Sequence, residues 1–344
     1  MSRHTTRQRV QTLRGSGIIA ARVNTGSDVS AGPFITAATN SNTPRQQDSQ
    51  LQIGVIYPQT EIQRDPVVVK AYAQGVEQLG YRFIAAYDHV IGANPASRSG
   101  WRGTYDVDDA FMEPLTLFSY MAAISPKMGF ATSILIAPQR QTVLLAKQAA
   151  TLDVLCGGRL RLGLGIGWND VEYEALNENF NDRGERSEEQ IELMRQLWRS
   201  RSISFEGKWH RVTDAGINPL PVQRPIPIWL GGGEDRVVRR IARMADGWMP
   251  QFSPDANGRS TFEKMREYAV EYGRDPSEIG LDGRVTVRGD DVDGWAETVS
   301  RWKEIGATHV SINTMGDQVR DVDDHLNRLR RLKEALGRAS AAVS

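Results

Sequence analysis

The sequence of 344 residues predicts an α/β fold, a (β/α)8 TIM barrel with a small insertion after its fourth strand. From residue 51 onward, short apolar segments alternate with segments whose apolar residues recur at helical spacing. This alternation favours a parallel sheet. Eight consecutive strand–helix units in about 290 residues favour a closed barrel over a doubly wound sheet, and catalytic groups are then expected at the carboxyl ends of the strands.

Eight short apolar segments are predicted to form the barrel strands. They are residues 52–57, 83–87, 127–136, 159–166, 227–230, 247–250, 283–288 and 309–313. A long loop after strand two extends to residue 113, and its length indicates a functional role. A hairpin over residues 202–212, centred on Glu206 and Gly207, is the predicted insertion.

The helices between the strands are indicated by apolar spacing and by signals at their ends. The first helix stops at Gly80, which suits the residue just after a helix. A capping box formed by Ser187 and Gln190 predicts the start of a helix that ends near Trp198. Leucines three or four residues apart predict the last helix, and they are Leu326, Leu329, Leu332 and Leu336.

The first 50 residues differ in composition from the rest of the chain. They contain six arginines, no lysine, two acidic residues and thirteen serine or threonine residues, without apolar periodicity. We predict a disordered extension over residues 1–50, the barrel over 51–338 and a short C-terminal tail over 339–344. A transit peptide and a mis-assigned translation start are the alternatives for the extension.

Charge and composition exclude several classes of function. Basic and acidic side chains balance at 42 each, so no excess charge indicates a nucleic-acid or membrane partner. No apolar run is as long as the about 18 residues that a helix needs to cross a bilayer. With Cys156 as the single cysteine and five histidines at no metal-ligand spacing, neither a disulfide nor a metal centre is expected. We expect a cytoplasmic protein with a small-molecule substrate, and a homodimer stays open.

The fourth predicted strand carries three glycines on one face. Between residues 159 and 167, aliphatic residues alternate with Gly163, Gly165 and Gly167. If this face points into the barrel, the missing side chains leave space for a flat ring system. The alternative is that bulky side chains of neighbouring strands fill the space. Trp168 and Asp170 stand where a dinucleotide fingerprint needs its third glycine, so that fingerprint is absent.

Asp88 and His89 follow the second predicted strand, where barrel catalysis is expected. A carboxylate there could orient a ring or accept a proton, and an imidazole could serve as acid or base. The alternative for His89 is a merely hydrogen-bonded residue at a strand end. Trp101, Trp168 and Trp229 add aromatic surface near the predicted mouth of the barrel.

The fifth predicted strand runs through Gly231, Gly232, Gly233 and Glu234 into a helix. Free N–H groups and the positive end of the helix dipole favour an anion at such a position, and glycines allow a phosphate to approach closely. The alternative is an ordinary turn with acidic residues in the first turn of the helix.

Several short motifs occur in a fixed order along the body of the chain. They are Asp88-His89, Glu113-Pro-Leu115, Ala131-Thr-Ser-Ile-Leu135, Leu144-Leu-Ala-Lys-Gln148, Thr151-Leu-Asp-Val-Leu-Cys-Gly-Gly-Arg159, Gly163-Leu-Gly-Ile-Gly-Trp168, Arg183-Gly184, Asn218-Pro-x-Pro221-Val-Gln, Trp229-Leu-Gly-Gly-Gly233 and Ala245-Asp-Gly-Trp248. Together they resemble the bacterial luciferase-like monooxygenase superfamily, most closely its branch of coenzyme F420-dependent oxidoreductases. The resemblance covers about residues 52–336 and implies a (β/α)8 barrel.

The resemblance also implies roles for particular residues. It implies a cis peptide between Ser133 and Ile134 that supports the cofactor ring, with Asp88 beside that ring. Trp168 occupies the position at which some F420-dependent relatives have a catalytic glutamate. The residues expected to bind the cofactor are Asp88, Ser133, Ile134, Gly165, Gly167, Trp168, Gly231, Gly232, Gly233 and Glu234.

The leading functional hypothesis is hydride transfer between coenzyme F420 and a small organic substrate, with His89 and Asp88 as the catalytic residues. One alternative is an FMN-dependent monooxygenase that uses O2 on the same fold. A second alternative is a barrel that binds a flavin or deazaflavin without catalysis, because fold and cofactor site do not prove activity.

Overall fold

The computed structural model describes residues 50–343 of the chain. The expectation for the N-terminal extension therefore concerns residues that lie outside the described part, apart from its last position. In chain order the strands are β1 (Gln52–Ile56), β2 (Phe83–Ala86), β3 (Gly129–Thr132), β4 (Leu135–Ile136), β5 (Leu160–Gly165), β6 (Ile203–Glu206), β7 (Arg211–Ala215), β8 (Ile228–Gly231), β9 (Gly247–Met249), β10 (Gly280–Thr286) and β11 (His309–Asn313).

The helices occupy the connections between these strands. In chain order they are α1 (Pro66–Gln78), α2 (Pro114–Ile124), α3 (Thr142–Leu155), α4 (Asp170–Ala175), α5 (Arg183–Arg199), α6 (Asp235–Met244), α7 (Ala256–Glu271), α8 (Val292–Glu304) and α9 (Val322–Val343). Helix α9 includes residues that the sequence analysis assigned to a C-terminal tail. Among residues 50–343, no helix is long and apolar enough to cross a membrane.

The parallel strands close into a barrel, as the sequence predicts. The order around the barrel is β3-β2-β1-β11-β10-β9-β8-β5-β4, and a pairing between β3 and β5 completes the circle. The first and last strands join in register, with Gln52 opposite His309. Strands β3 and β4 are two parts of one barrel position, so the eight predicted strand positions are confirmed. Strands β6 and β7 form a separate antiparallel hairpin, which is the predicted insertion.

Two apolar layers hold the barrel together. The larger layer lies between the strands and the surrounding helices and includes Leu160, Leu162 and Leu164 of β5. The smaller layer fills the barrel interior and consists of Ile56, Phe83, Ala85, Ala131, Trp229, Met249 and Met315. The alternation along β5 follows from this arrangement, since its leucines face the helices and its glycines face the interior.

The predicted capping box at Ser187 is wrong. Helix α5 begins four residues earlier, at Arg183, and Ser187 lies inside it with its hydroxyl donating to the carbonyl of Gly184 at 2.7 Å. A serine in a helix can bond backward to a carbonyl of the preceding turn, and the residue pattern is then the same as that of a cap. The short helix α4 is not predicted, although the Asn169 side chain caps it by accepting from Val171 N–H.

Candidate active site

The third barrel strand is interrupted by a bulge at Ser133 and Ile134. The peptide bond between them is cis, as the resemblance implied. Ser133 N–H donates to the carbonyl of Ala86 at 2.8 Å, which ties the bulge to the end of β2. The bulge therefore stands at the carboxyl end of the sheet, where the strand resumes as β4.

The Ile134 side chain occupies the space that glycines of two other strands leave open. A Cβ atom at Gly165 would lie 1.8 Å from Ile134 Cδ1, and one at Gly231 would lie 3.1 Å from Ile134 Cγ2. A Cβ atom at Gly163 would lie 1.9 Å from the Thr132 carbonyl oxygen. Packing against the bulge thus requires glycine on β5. The expectation that these glycines leave a vacancy for a ring is wrong, and the alternative, filling by a neighbouring strand, holds.

A cavity of about 80 Å³ opens above this bulge. Its lining includes Ser133, Ile134, Gly231, Gly232 and Met249. The structure thus brings together four of the residues expected to bind a cofactor, contributed by two strand ends.

Two residues that line the cavity, Asp282 and Ser311, belong to a buried cluster that also contains Arg161. Asp282 accepts from Arg161 Nη2 at 3.0 Å and from the Ser311 hydroxyl at 2.9 Å. The guanidinium lies over the rings of Phe83 and Trp229, at 4.3 and 4.6 Å from their centroids. Burial lowers the pKa of the nearby His309 to about 2, so this imidazole is neutral. Asp282 and Ser311 therefore give the cavity polar groups next to the apolar barrel interior.

The glycine-rich turn after β8 leads into the N-terminus of α6. Glu234 is the N-cap residue, its side chain makes no capping hydrogen bond, and its carbonyl accepts from Val237 and Val238 N–H. Gly232 has a φ of 117°, which favours glycine. No atom lies within 4 Å of a Cβ built on Gly233, so there is open space beside the turn. These features fit an anionic group at the first turn of α6.

Asp88 is buried and paired rather than free. Its carboxylate accepts from Arg140 Nη2 at 2.8 Å and from Ile136 N–H at 3.0 Å, and Arg140 Nη1 lies 2.7 Å from its second oxygen. Burial raises the pKa of Asp88, while the charge and hydrogen bonds of Arg140 act in the opposite direction. Because Asp88 accepts from the N–H of Ile136, the pair anchors the last residue of β4, directly after the bulge.

His89 lies among aromatic side chains and bonds to a carboxylate. Its Nδ1 is 3.0 Å from Glu172 Oε1, and its ring centroid lies 4.7 Å from that of Phe111, 5.0 Å from that of Tyr105 and 5.8 Å from that of Trp168. The imidazole is 13% exposed. Trp168 is the most open member of this group, with 44% of its surface exposed. His89 and Trp168 are thus brought together across the end of the third barrel strand, which lies between β2 and β5.

The barrel thus combines a bulge on its third strand with a glycine-rich turn after its fifth, and one cavity is lined by both. Residues 35–341 match the sequence profile of the luciferase-like monooxygenase family, and the chain belongs to that family. Members of this superfamily are oxidoreductases and monooxygenases. They include F420-dependent and FMN-dependent enzymes.

Proteins similar to this chain include an F420-dependent enzyme and an FMNH2-dependent enzyme. An uncharacterised protein of Mycobacterium tuberculosis, Rv0940c, is 32% identical over 65% of this chain and 77% of its own length. An F420-dependent hydroxymycolic acid dehydrogenase of the same organism is 29% identical over 72% of this chain and 66% of its own. An FMNH2-dependent dimethylsulfone monooxygenase of Pseudomonas putida is also 29% identical, over 61% of this chain and 58% of its own.

Solved structures share the fold at low sequence identity. An F420-dependent secondary alcohol dehydrogenase in complex with an F420-acetone adduct superposes with a TM-score of 0.68 at 18% identity, covering 83% of this chain and 99% of that one. The monooxygenase RslO1 from Streptomyces bottropensis gives 0.69 at 16% identity, covering 84% and 100%. These likenesses concern the fold.

Sequence reasoning missed the residues that hold the predicted site residues in place. Arg140 neutralises Asp88, and Glu172 bonds to His89. Local sequence patterns indicate neither contact, because the two residues of each pair are 52 and 83 positions apart in the chain. The signal that could have found Glu172 is its position in the helix after the glycine strand, four residues beyond Trp168. Within residues 50–343, no group of three or more His, Cys, Asp or Glu side chains could hold a metal ion.

Proposed function

We propose that the protein is an oxidoreductase that transfers a hydride between coenzyme F420 and a small organic substrate, either an alcohol or carbonyl compound or an activated alkene. The observation that carries this proposal is one cavity lined by both the bulge at Ser133 and Ile134 and the glycine turn at Gly231 and Gly232. The 29% identity to an F420-dependent dehydrogenase supports the choice of cofactor.

The residues of the cavity suit the parts of such a cofactor. Ser133 and Ile134 would lie against the ring, and Gly165 gives the bulge its room. The turn from Gly231 through Gly232 and Gly233 to Glu234 would receive the phosphate through backbone N–H groups. Gly167 and Trp168, which follow β5, complete the proposed cofactor-binding set. When bound, the coenzyme supplies the hydride chemistry, and the protein contributes orientation and exclusion of water.

We assign the accompanying proton transfer to His89. Conversion between an alcohol and a carbonyl compound moves a proton as well as a hydride, so a group able to take and return a proton is needed. Asp88 acts on the same site through its hydrogen bond to Ile136 and its pair with Arg140, which hold the bulge. Its proposed contribution is to position the residues that contact the ring.

Titration of the purified protein with F420 and with FMN, followed by absorbance and fluorescence, tests this proposal. We expect tighter binding of F420, and anaerobic turnover of at least one member of a panel of alcohols, aldehydes, ketones and enones. Tight binding of F420 without turnover of the panel would favour a non-catalytic binding barrel.

The second candidate is an FMN-dependent monooxygenase. The family assignment and the 29% identity to an FMNH2-dependent monooxygenase favour it. The distinction is the need for O2, since hydride transfer proceeds without oxygen and oxygenation consumes it. Preferential binding of reduced FMN together with oxygen-dependent product formation would overturn the F420 proposal.

A further inference from the structure

We propose that Glu172 is a positioning residue that holds the His89 imidazole with its proton on Nδ1, so that Nε2 is the atom that exchanges a proton with the substrate. This inference rests on the proposed function, in which His89 carries the proton. It adds to the proposed site a residue of α4, the helix that follows β5.

Glu172 is a buried carboxylate that receives hydrogen bonds from two other segments. One oxygen, Oε1, accepts from the Val90 N–H at 3.1 Å and lies 3.0 Å from His89 Nδ1. The other, Oε2, accepts from Gln139 Nε2 at 2.8 Å. The residue is 1% exposed. It therefore joins α4 to the loop after β2 and to the turn after β4.

The charge state of Glu172 decides which imidazole nitrogen carries the proton. Burial raises the pKa of Glu172, but the hydrogen bonds from His89, Gln139 and Val90 outweigh this effect and the pKa is lowered. The carboxylate is therefore ionised near neutral pH, and an ionised carboxylate only accepts hydrogen bonds. The His89 nitrogen that faces it must be the donor, which places a proton on Nδ1.

With Nδ1 engaged, Nε2 is the nitrogen left for chemistry. In the described part of the chain, the hydrogen bond to the His89 ring is made at Nδ1. The ring contacts are Tyr105, Phe111 and Trp168, and of these only Tyr105 can titrate. Burial raises the pKa of Tyr105 to about 12, so its phenol is neutral. In the neutral imidazole Nε2 has a free lone pair and can accept a proton, and in the imidazolium it can donate one.

A structural ion pair would have the same distances, so the test must detect the tautomer itself. Nitrogen-15 NMR of the histidine side chains in the cofactor-free protein distinguishes a protonated from an unprotonated ring nitrogen, and His89→Ala assigns the signals. We expect the wild type to show the proton on Nδ1. A wild-type signal with the proton on Nε2 would overturn the proposal without any variant of Glu172.

Two substitutions separate position from charge. In Glu172→Gln the amide oxygen can still accept from His89, and Gln139 can turn its amide, because its Oε1 has no hydrogen-bond partner among the described residues. We expect the Nδ1 proton to be kept in this variant and lost in Glu172→Ala. Glu174→Ala is the matched control, since Glu174 lies on the same helix with its side chain 73% exposed. An unchanged tautomer in Glu172→Ala would contradict the proposal.

Turnover of the F420-loaded variants gives the second measurement. We expect kcat of Glu172→Ala to fall by ~10²-fold or more, within the usual range for loss of acid–base catalysis, with cofactor affinity unchanged. Glu172→Gln should lose less, and Glu174→Ala nothing. If His89→Ala turns over normally, the proposed proton role of His89 fails. If His89→Ala is impaired while Glu172→Ala has wild-type kcat, only the positioning role of Glu172 fails.

Discussion

At the scale of single residues, the site depends on two buried carboxylates that each bind a cationic or proton-bearing partner. Asp88 pairs with Arg140 beside the bulge, and Glu172 bonds to His89 at the mouth. The two carboxylates differ in their partners. Asp88 faces a guanidinium that is always charged, whereas Glu172 faces an imidazole that can gain or lose a proton.

Asp88→Ala should destabilise the protein as well as impair the site. Removing one partner of a buried pair leaves the other charge uncompensated, which costs about 3–5 kcal/mol. Chemical denaturation measures the change, and Arg98→Ala, which breaks the exposed pair with Glu174, is the control, with an expected cost below about 1 kcal/mol. Equal stability of Asp88→Ala and the wild type would contradict a stabilising role of the Asp88–Arg140 pair.

The lowered pKa of Glu172 predicts a dependence of stability on pH. A carboxylate with a lower pKa in the folded state than in the unfolded state stabilises the fold above its ordinary value, here 4.5, and this stabilisation is lost as pH falls through the folded value. The difference in unfolding free energy between wild type and Glu172→Gln should therefore be largest near neutral pH and shrink under acid. Denaturation curves between pH 3 and pH 8 measure it, and a constant difference would contradict the assignment of charge.

At the scale of secondary structure elements, the bulge and the glycine strand form one packing unit. The side chain at position 134 excludes a side chain at position 165, where a Cβ would lie 1.8 Å away, and leaves a tight fit at position 231, where it would lie 3.1 Å away. The sequence shows the glycines and their alternation, but their purpose depends on what β3 and β4 place opposite them. This is why the strand could be predicted and the filling of its glycine face could not.

Gly165→Ala should be destabilised by overpacking, by about 1–3 kcal/mol. Because the clash is with the terminal Cδ1 of Ile134, adding Ile134→Val should recover part of the loss. Thermal denaturation of both single variants and the double variant measures this coupling. Gly337→Ala, at an open position in α9, is the control and should be no less stable than wild type. Additive effects of the two substitutions would argue against the contact.

Gly233→Val tests the anion site after β8 without straining the backbone. A Cβ at Gly233 meets no atom within 4 Å beyond its chain neighbours, so we expect thermal stability to be nearly unchanged while the space beside the turn is filled. We expect weaker binding of F420, and a smaller difference for a ring analogue that lacks the phosphate. If full-length F420 binds the variant as tightly as the wild type, the phosphate lies elsewhere.

At the scale of the whole molecule, local sequence patterns were sufficient for the barrel but not for its site. Alternating strands and helices predict the order of elements, since each pattern is contained in a few consecutive residues. Ser187 misleads because a cap and a helix-interior serine have the same neighbours in sequence. Arg140 and Glu172 reach their partners only after distant strand ends have met at one rim.

Deletion of residues 1–49 should leave the melting temperature and the cofactor affinity nearly unchanged. The barrel closes through the pairing of β1 with β11, and the strands that line the cavity all follow residue 50. Calorimetry and F420 titration of the truncated protein check this. A melting temperature lower by more than a few degrees would mean that the N-terminal segment contributes to the folded barrel.

The interlocking of Ile134 with two glycines also has a consequence for engineering. The Ile134 side chain lines the cavity and is also the nearest neighbour of the glycines of two separate strands. Shortening it to alanine would enlarge the cavity next to Gly165 and Gly231 without changing the glycine-rich turn after β8. Position 134 is therefore the first position at which to substitute when a larger cavity in this barrel is wanted.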